Sequence, residues 1–239
     1  MSPAVAHAKS YPFPIPGTSY ILGANGYQEI IRGLPLPNLD GLTGVLASGS
    51  NQSPEQLARK FDNLDVHPIP VLQVWIKDFD AVHSPHFSAY GSIPATLHYH
   101  PGVTAKLFST WLNDAQLARM HETEVASENY DYVLLEDITV DVIGGTRLSS
   151  INAYISRRGA LCHNGKPLGL EAVSAEGRDW PEVSQNQVQA LARDRLSPSM
   201  GLDAFISENL DNANTRHART RHLAQDALPF TYPHLSLVT

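Results

Sequence analysis

The sequence contains a single cysteine, Cys162, among its 239 residues. One cysteine cannot build an internal disulfide framework or a zinc knuckle, so neither device can stabilise this fold. No stretch approaches the roughly 18 consecutive apolar residues of a membrane-spanning helix. Residues 1–10 also lack the apolar run of a secretory signal peptide. We therefore expect a cytoplasmic protein with no membrane partner.

An excess of positive charge is absent as well. The chain has 17 Lys and Arg residues against 24 Asp and Glu residues, which gives a formal net charge of −7. This balance argues against a nucleic-acid partner, because such surfaces are strongly basic. The hydrophobic content of 42% is sufficient for a sizeable core. We expect one main domain with appendages.

Three segments differ in their pattern. Residues 1–40 are predicted to form an N-terminal arm and a weakly patterned prelude, with the arm extended because prolines alternate with bulky residues over 11–16. Residues 41–170 are predicted to form the main domain. Residues 171–239 contain three helical patterns and are predicted to pack on that domain as a helical extension.

The main domain alternates strand patterns with single helices. We predict a strand at 44–48, a helix at 54–62 and a strand at 71–77. Two further antiparallel pairs are predicted, a hairpin formed by 95–100 and 104–112 around Pro101-Gly102, and a pair formed by 132–142 and 148–155. This order favours an α+β fold with a mostly antiparallel sheet.

The first strand leads into a tight polar turn and then a helix. Ser53 has the features of an N-cap, with Pro54 at the first helical position and Gln56 completing a capping box. Backbone N–H groups at such a helix start attract a carboxylate or a phosphate. An ordinary connection between a strand and a helix has the same local pattern, so both interpretations stay open here.

A second candidate site lies at the end of a helix predicted to begin after its cap, Asn113. Leu117 and Met120 mark the buried side of this helix, and Glu124 falls on the same side, four residues after Met120. Glu122 points away. Glu124 is therefore either a surface carboxylate at a frayed helix end or a general acid and base facing a cavity.

Together these residues resemble a known family. Gly49-Ser50-Asn51 is similar to the end of the Tyr-Gly-Ser-Asn loop of the gamma-glutamylcyclotransferase-like superfamily, and the segment ending at Glu124 is similar to the one that carries its catalytic glutamate. The resemblance covers residues 44–155 in the same order. The remaining similar segments are 91–97, 101–102, 106–112 and 130–140.

The resemblance implies a small closed β-barrel with flanking helices and no metal or cofactor. It also implies a reaction in which the free α-amino group of a gamma-glutamyl unit attacks its own side-chain amide, releasing 5-oxoproline and an amine. The partner would be a small molecule with a free α-amino acid group, and Glu124 would be the general acid and base. The implied substrate-binding residues are Ser48, Gly49, Ser50, Asn51, Tyr90 and Gly91.

One residue departs from the family loop. The family has tyrosine where this chain has Ser48, so the aromatic ring and the phenol hydroxyl of that tyrosine are missing from the loop. Ser48 keeps only a small hydrogen-bonding group. We expect Tyr90 to fill that space. We therefore expect any difference between the substrate of this protein and that of the family to arise at this position.

Two other functions stay open at the level of the sequence. A non-catalytic relative would bind a small carboxylate ligand or a protein partner through the same pocket. A metal-dependent enzyme would use His98 and His100, which share one face of a strand. The C-terminal helices have three open roles, as a lid, as a shield for a sheet edge and as an oligomer contact.

Overall fold

The computed structural model describes residues 2–62, 68–125 and 129–238. Met1 and Thr239, the outer bounds of the predicted arm and extension, lie outside the described residues. Six α-helices are found in the described part of the chain. They are α1 (Pro3–Lys9), α2 (Pro54–Lys60), α3 (Asp114–Glu124), α4 (Gln185–Leu196), α5 (Leu202–Asp211) and α6 (Ala213–Leu223).

The strands of the described residues fall into barrel strands and further strands outside the barrel. The barrel strands are β3 (Thr43–Ala47), β4 (Ile69–His83), β5 (Ala95–Leu112), β6 (Tyr130–Val142) and β7 (Arg147–Ser156). The further strands are β1 (Tyr20–Gly23), β2 (Gly26–Glu29), β8 (Cys162–His163), β9 (Lys166–Pro167), β10 (Gly169–Leu170), β11 (Ala175–Glu176), β12 (Glu182–Val183) and β13 (Leu235–Val238).

Five strands close into a barrel. β3 pairs with β5, β5 with β4, β4 with β6, β6 with β7, and β7 returns to β3. Only the β7–β3 contact within this ring is parallel. Closure leaves these strands without a free edge along the ring. The predicted α+β fold, a small and mostly antiparallel barrel with flanking helices, is confirmed.

Side chains alternate between the inside and the outside of the barrel, as the two-residue period of a strand requires. Leu46 on β3 joins the apolar cluster inside the barrel. Its neighbours Val45 and Ala47 join a second cluster outside it, with Phe61 after α2 and Met120 of α3. The short β3 thus anchors both the barrel and the helices that cover it.

The predicted hairpin around Pro101-Gly102 is wrong. β5 is one strand that runs antiparallel to β4, and Phe79 pairs with both Tyr99 and Thr104, so the residues between them bulge outward. The Asp78 carboxylate accepts the N–H of Gly102 at 2.7 Å. Because β4 offers partners on both sides of this bulge, the chain continues where the local signal predicts a reversal.

The N-terminal arm also differs from its prediction. Instead of being extended throughout, it begins with α1, whose cap Ser2 accepts the N–H of Val5 at 3.3 Å. Val5 and Ala8 of α1 are buried in a third apolar cluster with the helices that follow β12. Burial of this face explains why a short polar-flanked segment is helical. No helix in the described ranges is long and apolar enough to cross a membrane.

Candidate functional site

A cavity of about 390 Å³ opens beside the carboxyl end of β3. Six of the residues singled out from the sequence line it: Ser48, Gly49, Ser50, Asn51, Tyr90 and Glu124. They come from three separate parts of the chain, namely the turn after β3, the loop between β4 and β5, and the end of α3. The barrel and the two covering helices therefore bring the two candidate sites together.

The turn after β3 is a short 3-10 helix, Ser50–Gln52, rather than an open loop. Gly49 and Ser50 already accept the backbone N–H groups of Gln52 and Ser53, at 3.1 and 2.9 Å. The predicted capping box is wrong, because Ser53 makes no side-chain cap bond and its buried Oγ has no hydrogen-bond partner. The backbone bonds of the turn therefore lie in front of α2, which begins without a side-chain cap.

Helix α3 carries Glu124 as its last residue. The predicted cap is confirmed, since Asn113 accepts the N–H of Gln116 at 2.9 Å and the Gln116 side chain accepts the N–H of Asn113 at 3.0 Å. Met120 is buried on the side that faces α2. Glu122 is on the opposite side, exposed and paired with Arg119. The cap and the buried face together fix where Glu124 points.

The Glu124 carboxylate is held by two side chains of the α2 region. Lys60 forms a short ion pair with Glu124 Oε1, and Asn51 donates its Nδ2 to the same oxygen at 3.1 Å. Lys60 also donates to Asn51 Oδ1 at 2.7 Å and contacts Met120 Sδ at 3.4 Å. The Lys60 and Glu124 side chains are only 6% and 17% exposed. This arrangement compensates the charge of the carboxylate and sets its position.

Tyrosines form a further part of the cavity wall, together with Glu124. The N–H of Ala95 donates to the Tyr11 hydroxyl at 2.7 Å, and the Tyr130 hydroxyl donates to the C=O of Ala95 at 2.9 Å. Burial raises the pKa of both phenols, and it raises the pKa of Tyr90 to about 12. All three therefore keep their protons at neutral pH and act as neutral hydrogen-bonding groups.

Gly91 does not belong to this wall. It lies beside Tyr90 at a φ of 81°, and a Cβ there would come within 3.3 Å of Ala8 in α1 and 3.2 Å of Leu210 in α5. Its carbonyl accepts Gln189 Nε2 at 2.9 Å. The structure therefore gives Gly91 a packing position between helices.

The histidine pair is arranged differently from a metal site. His98 is buried and His100 exposed, and both rings contact the edge or face of Trp180, at centroid distances of 5.9 and 4.9 Å. In the described ranges, no group of three His, Cys, Asp or Glu side chains is placed to hold a metal ion. Nothing in this geometry favours the metal-dependent alternative.

Lys60 and Tyr11 are among the cavity residues that sequence reasoning missed. Lys60 follows Leu57 by three residues on the predicted helix, so the helical period places it on the buried face, and this signal was available. Tyr11 carried no such signal. It belongs to an arm with no strand or helix pattern linking it to the turn after β3, and only the folded chain brings it there.

Comparisons with known proteins give structural likeness only. No protein-family model and no curated protein matches the chain. A solved gamma-glutamyl cyclotransferase is 18% identical to this chain, with a TM-score of 0.38. The match covers 48% of this chain and 66% of that chain, just under two thirds of its length. The solved structure of an uncharacterized Homo sapiens protein also matches, with 13% identity over 70% of this chain and 88% of that chain and a TM-score of 0.40. A solution structure from Arabidopsis thaliana matches with 11% identity over 68% of this chain and 92% of that chain, again with a TM-score of 0.40. The first has the name of the family that the sequence motifs resemble.

Proposed function

We propose that the protein is a gamma-glutamylcyclotransferase-like enzyme, which cleaves a gamma-glutamyl amide by internal cyclisation. The observation that carries the proposal is the Glu124 carboxylate, fixed by Lys60 and Asn51 on the wall of a cavity that the turn after β3 also lines. A proton carrier facing a small-molecule cavity is what the reaction needs. The resemblance of the surrounding motifs supplies the reaction class.

In the proposed reaction Glu124 first takes a proton from the α-ammonium of the gamma-glutamyl unit. The neutral α-nitrogen attacks the side-chain amide carbon, and a tetrahedral intermediate forms. As the carbon to nitrogen bond of the amide breaks, Glu124 returns the proton to the leaving nitrogen, and the ring nitrogen, which carries two hydrogens after the attack, loses one of them to solvent. The products are 5-oxoproline and an amine, and no metal or organic cofactor takes part in this scheme.

The cavity supports this reaction mainly by holding the substrate curled. A gamma-glutamyl chain cyclises only when its α-nitrogen lies near its own amide carbon, and fixing that geometry supplies a large part of an intramolecular rate enhancement. Ser48 and Tyr90 lie on the cavity wall and are proposed substrate contacts. We also propose that the protein acts in the cytoplasm.

The test replaces Glu124 by Gln, which keeps the shape but removes the proton carrier. We expect 5-oxoproline release from gamma-glutamyl dipeptides and gamma-glutamyl amines to fall about 10²- to 10⁴-fold, the range for loss of a general acid and base. Glu122→Gln is the matched control, since this carboxylate is two residues away and 64% exposed. It should leave turnover unchanged.

Unchanged turnover in Glu124→Gln would refute the catalytic role of this glutamate. A wild-type protein that binds 5-oxoproline but releases none from a broad panel would instead favour the non-catalytic alternative, a binder of small carboxylates.

A further inference from the structure

The N-terminal arm contributes a side chain to the cavity. Tyr11 is 4% exposed, and its hydroxyl oxygen accepts the N–H of Ala95 at 2.7 Å. Tyr11 also lines the cavity beside Gly49 and Ser50 of the turn after β3. Tyr11 therefore lies directly against the turn, which the sequence indicates as a candidate carboxylate contact.

This bond defines what the hydroxyl can offer a ligand. A phenol oxygen accepts through its lone pairs and donates through one hydrogen. The N–H of Ala95 occupies a lone pair of Tyr11 Oη, and the O–H hydrogen is the group that Tyr11 can donate to a ligand in the cavity. Accepting a hydrogen bond also polarises the group and strengthens that donor.

The turn is shaped to admit this hydroxyl. A Cβ at position 49 would lie 2.1 Å from Tyr11 Oη, so only glycine leaves room for it. The φ of Gly49 is −136°, which other residues also adopt, and the glycine is therefore required by the close approach of the phenol.

The arm holds the ring in place before any ligand arrives. The ring of Phe13 stacks on that of His7 with a centroid distance of 4.8 Å, and its centroid lies 6.1 Å from that of Tyr90. Ser92 donates its hydroxyl to the carbonyl of Ala8 at 3.0 Å. Because these contacts fix both sides of Tyr11, little conformational freedom is lost when it binds a ligand.

We propose that Tyr11 is a substrate-binding residue that donates its O–H to the α-carboxylate of the gamma-glutamyl unit. The inference rests on the proposed function for the identity of that carboxylate. It assigns the role of the phenol that Ser48 lacks to a residue 37 positions earlier in the chain.

The first test is Tyr11→Phe, with folding checked by circular dichroism. We expect KM for a gamma-glutamyl dipeptide to rise roughly 10- to 100-fold, as for loss of a hydrogen bond to a charged group. The value of kcat should change less than about twofold, because the α-carboxylate is bound equally in the ground state and the transition state. Tyr232→Phe is the control, since that hydroxyl bonds the carbonyls of Glu136 and Asp137 elsewhere.

A second variant separates the hydroxyl from the general shape of the site. Gly49→Ala should raise KM in the wild-type background, because the new Cβ displaces Tyr11 Oη. In the Tyr11→Phe background it should add little, since the nearest remaining ring atom, Cζ, is 3.2 Å away. Fully additive effects of the two substitutions would overturn the proposal.

Calorimetric titration with 5-oxoproline, which retains the carboxylate, makes the test independent of turnover. Weaker binding of 5-oxoproline to Tyr11→Phe supports the role of Tyr11 even if the wild type proves inactive, in which case only the proposed function fails. Unchanged binding and KM in an active enzyme overturn Tyr11 alone. A fall in kcat at constant KM, a gain in activity, or no binding of 5-oxoproline to the wild type also overturns it.

Discussion

At the scale of single residues, the charge of Glu124 is balanced by one buried cation. Lys60 reaches it from α2, and the pair is largely shielded from water. A buried ion pair adds little net stability over an apolar pair, but removing one member leaves an uncompensated charge. The pair therefore constrains what substitutions the site tolerates.

We predict that Lys60→Met lowers the free energy of unfolding by about 3 kcal/mol, because it removes the buried cation paired with the Glu124 carboxylate. Adding Glu124→Gln to that variant should restore most of the loss, since the negative charge is removed as well. The check is a double-mutant cycle by urea denaturation at neutral pH. Additive losses, with a coupling below about 0.5 kcal/mol, would show that the two groups do not stabilise each other.

At the scale of elements, two helix starts that look equivalent in sequence differ in structure. Asn113 caps α3 through a reciprocal capping box, whereas Ser53 makes no cap bond before α2. The 3-10 turn in front of α2 bonds the N–H groups of Gln52 and Ser53, and the Ser53 hydroxyl is buried without accepting an N–H of the first turn of α2. The sequence pattern of a cap is thus necessary but does not decide whether the bond forms.

This difference predicts that matched alanine substitutions at the two positions change the free energy of unfolding by different amounts. Asn113→Ala should lower the free energy of unfolding by about 1 kcal/mol, the usual cost of losing an N-cap. Ser53→Ala should change it by less than about 0.5 kcal/mol, because a buried hydroxyl without a partner gives nothing to lose. Thermal and urea unfolding measure both. Equal losses would mean that Ser53 caps α2 in solution.

At the scale of the whole molecule, buried histidines couple the fold to pH. His83 and His86 are fully enclosed between the barrel and its coverings, and burial lowers their pKa values to about 4 and about 3. In the unfolded chain both would titrate near pH 6.5. Between these values the unfolded chain binds more protons, so stability falls as pH falls.

We predict that the free energy of unfolding is lower at pH 5.0 than at pH 7.5 by about 4 kcal/mol, about 2 kcal/mol for each histidine. The loss should begin below pH 6.5 and continue toward pH 4. Urea denaturation across this range measures it. His86→Asn should reduce the slope by about half whatever its effect on overall stability, and an identical slope would exclude His86 as a contributor.

The local patterns predicted much of the fold, for identifiable reasons. The strands at β3, β6 and β7 and the helix α3 are each specified by their own periodicity and caps, so they were found. The hairpin within β5 was predicted wrongly, because Pro101-Gly102 is a genuine turn signal locally. Its effect is overridden by β4, which pairs on both sides of the bulge.

The sequence alone determined which residues are candidates for the proposed chemistry, because a turn after a strand and a carboxylate on the inner side of a helix are local properties. Only the tertiary structure decided how they meet. Lys60 beside Glu124, Tyr11 against the turn, and the cavity between them all depend on contacts between segments far apart in the chain. Such contacts are selected by closure of the barrel and burial of its apolar faces, and no local pattern of residues encodes them.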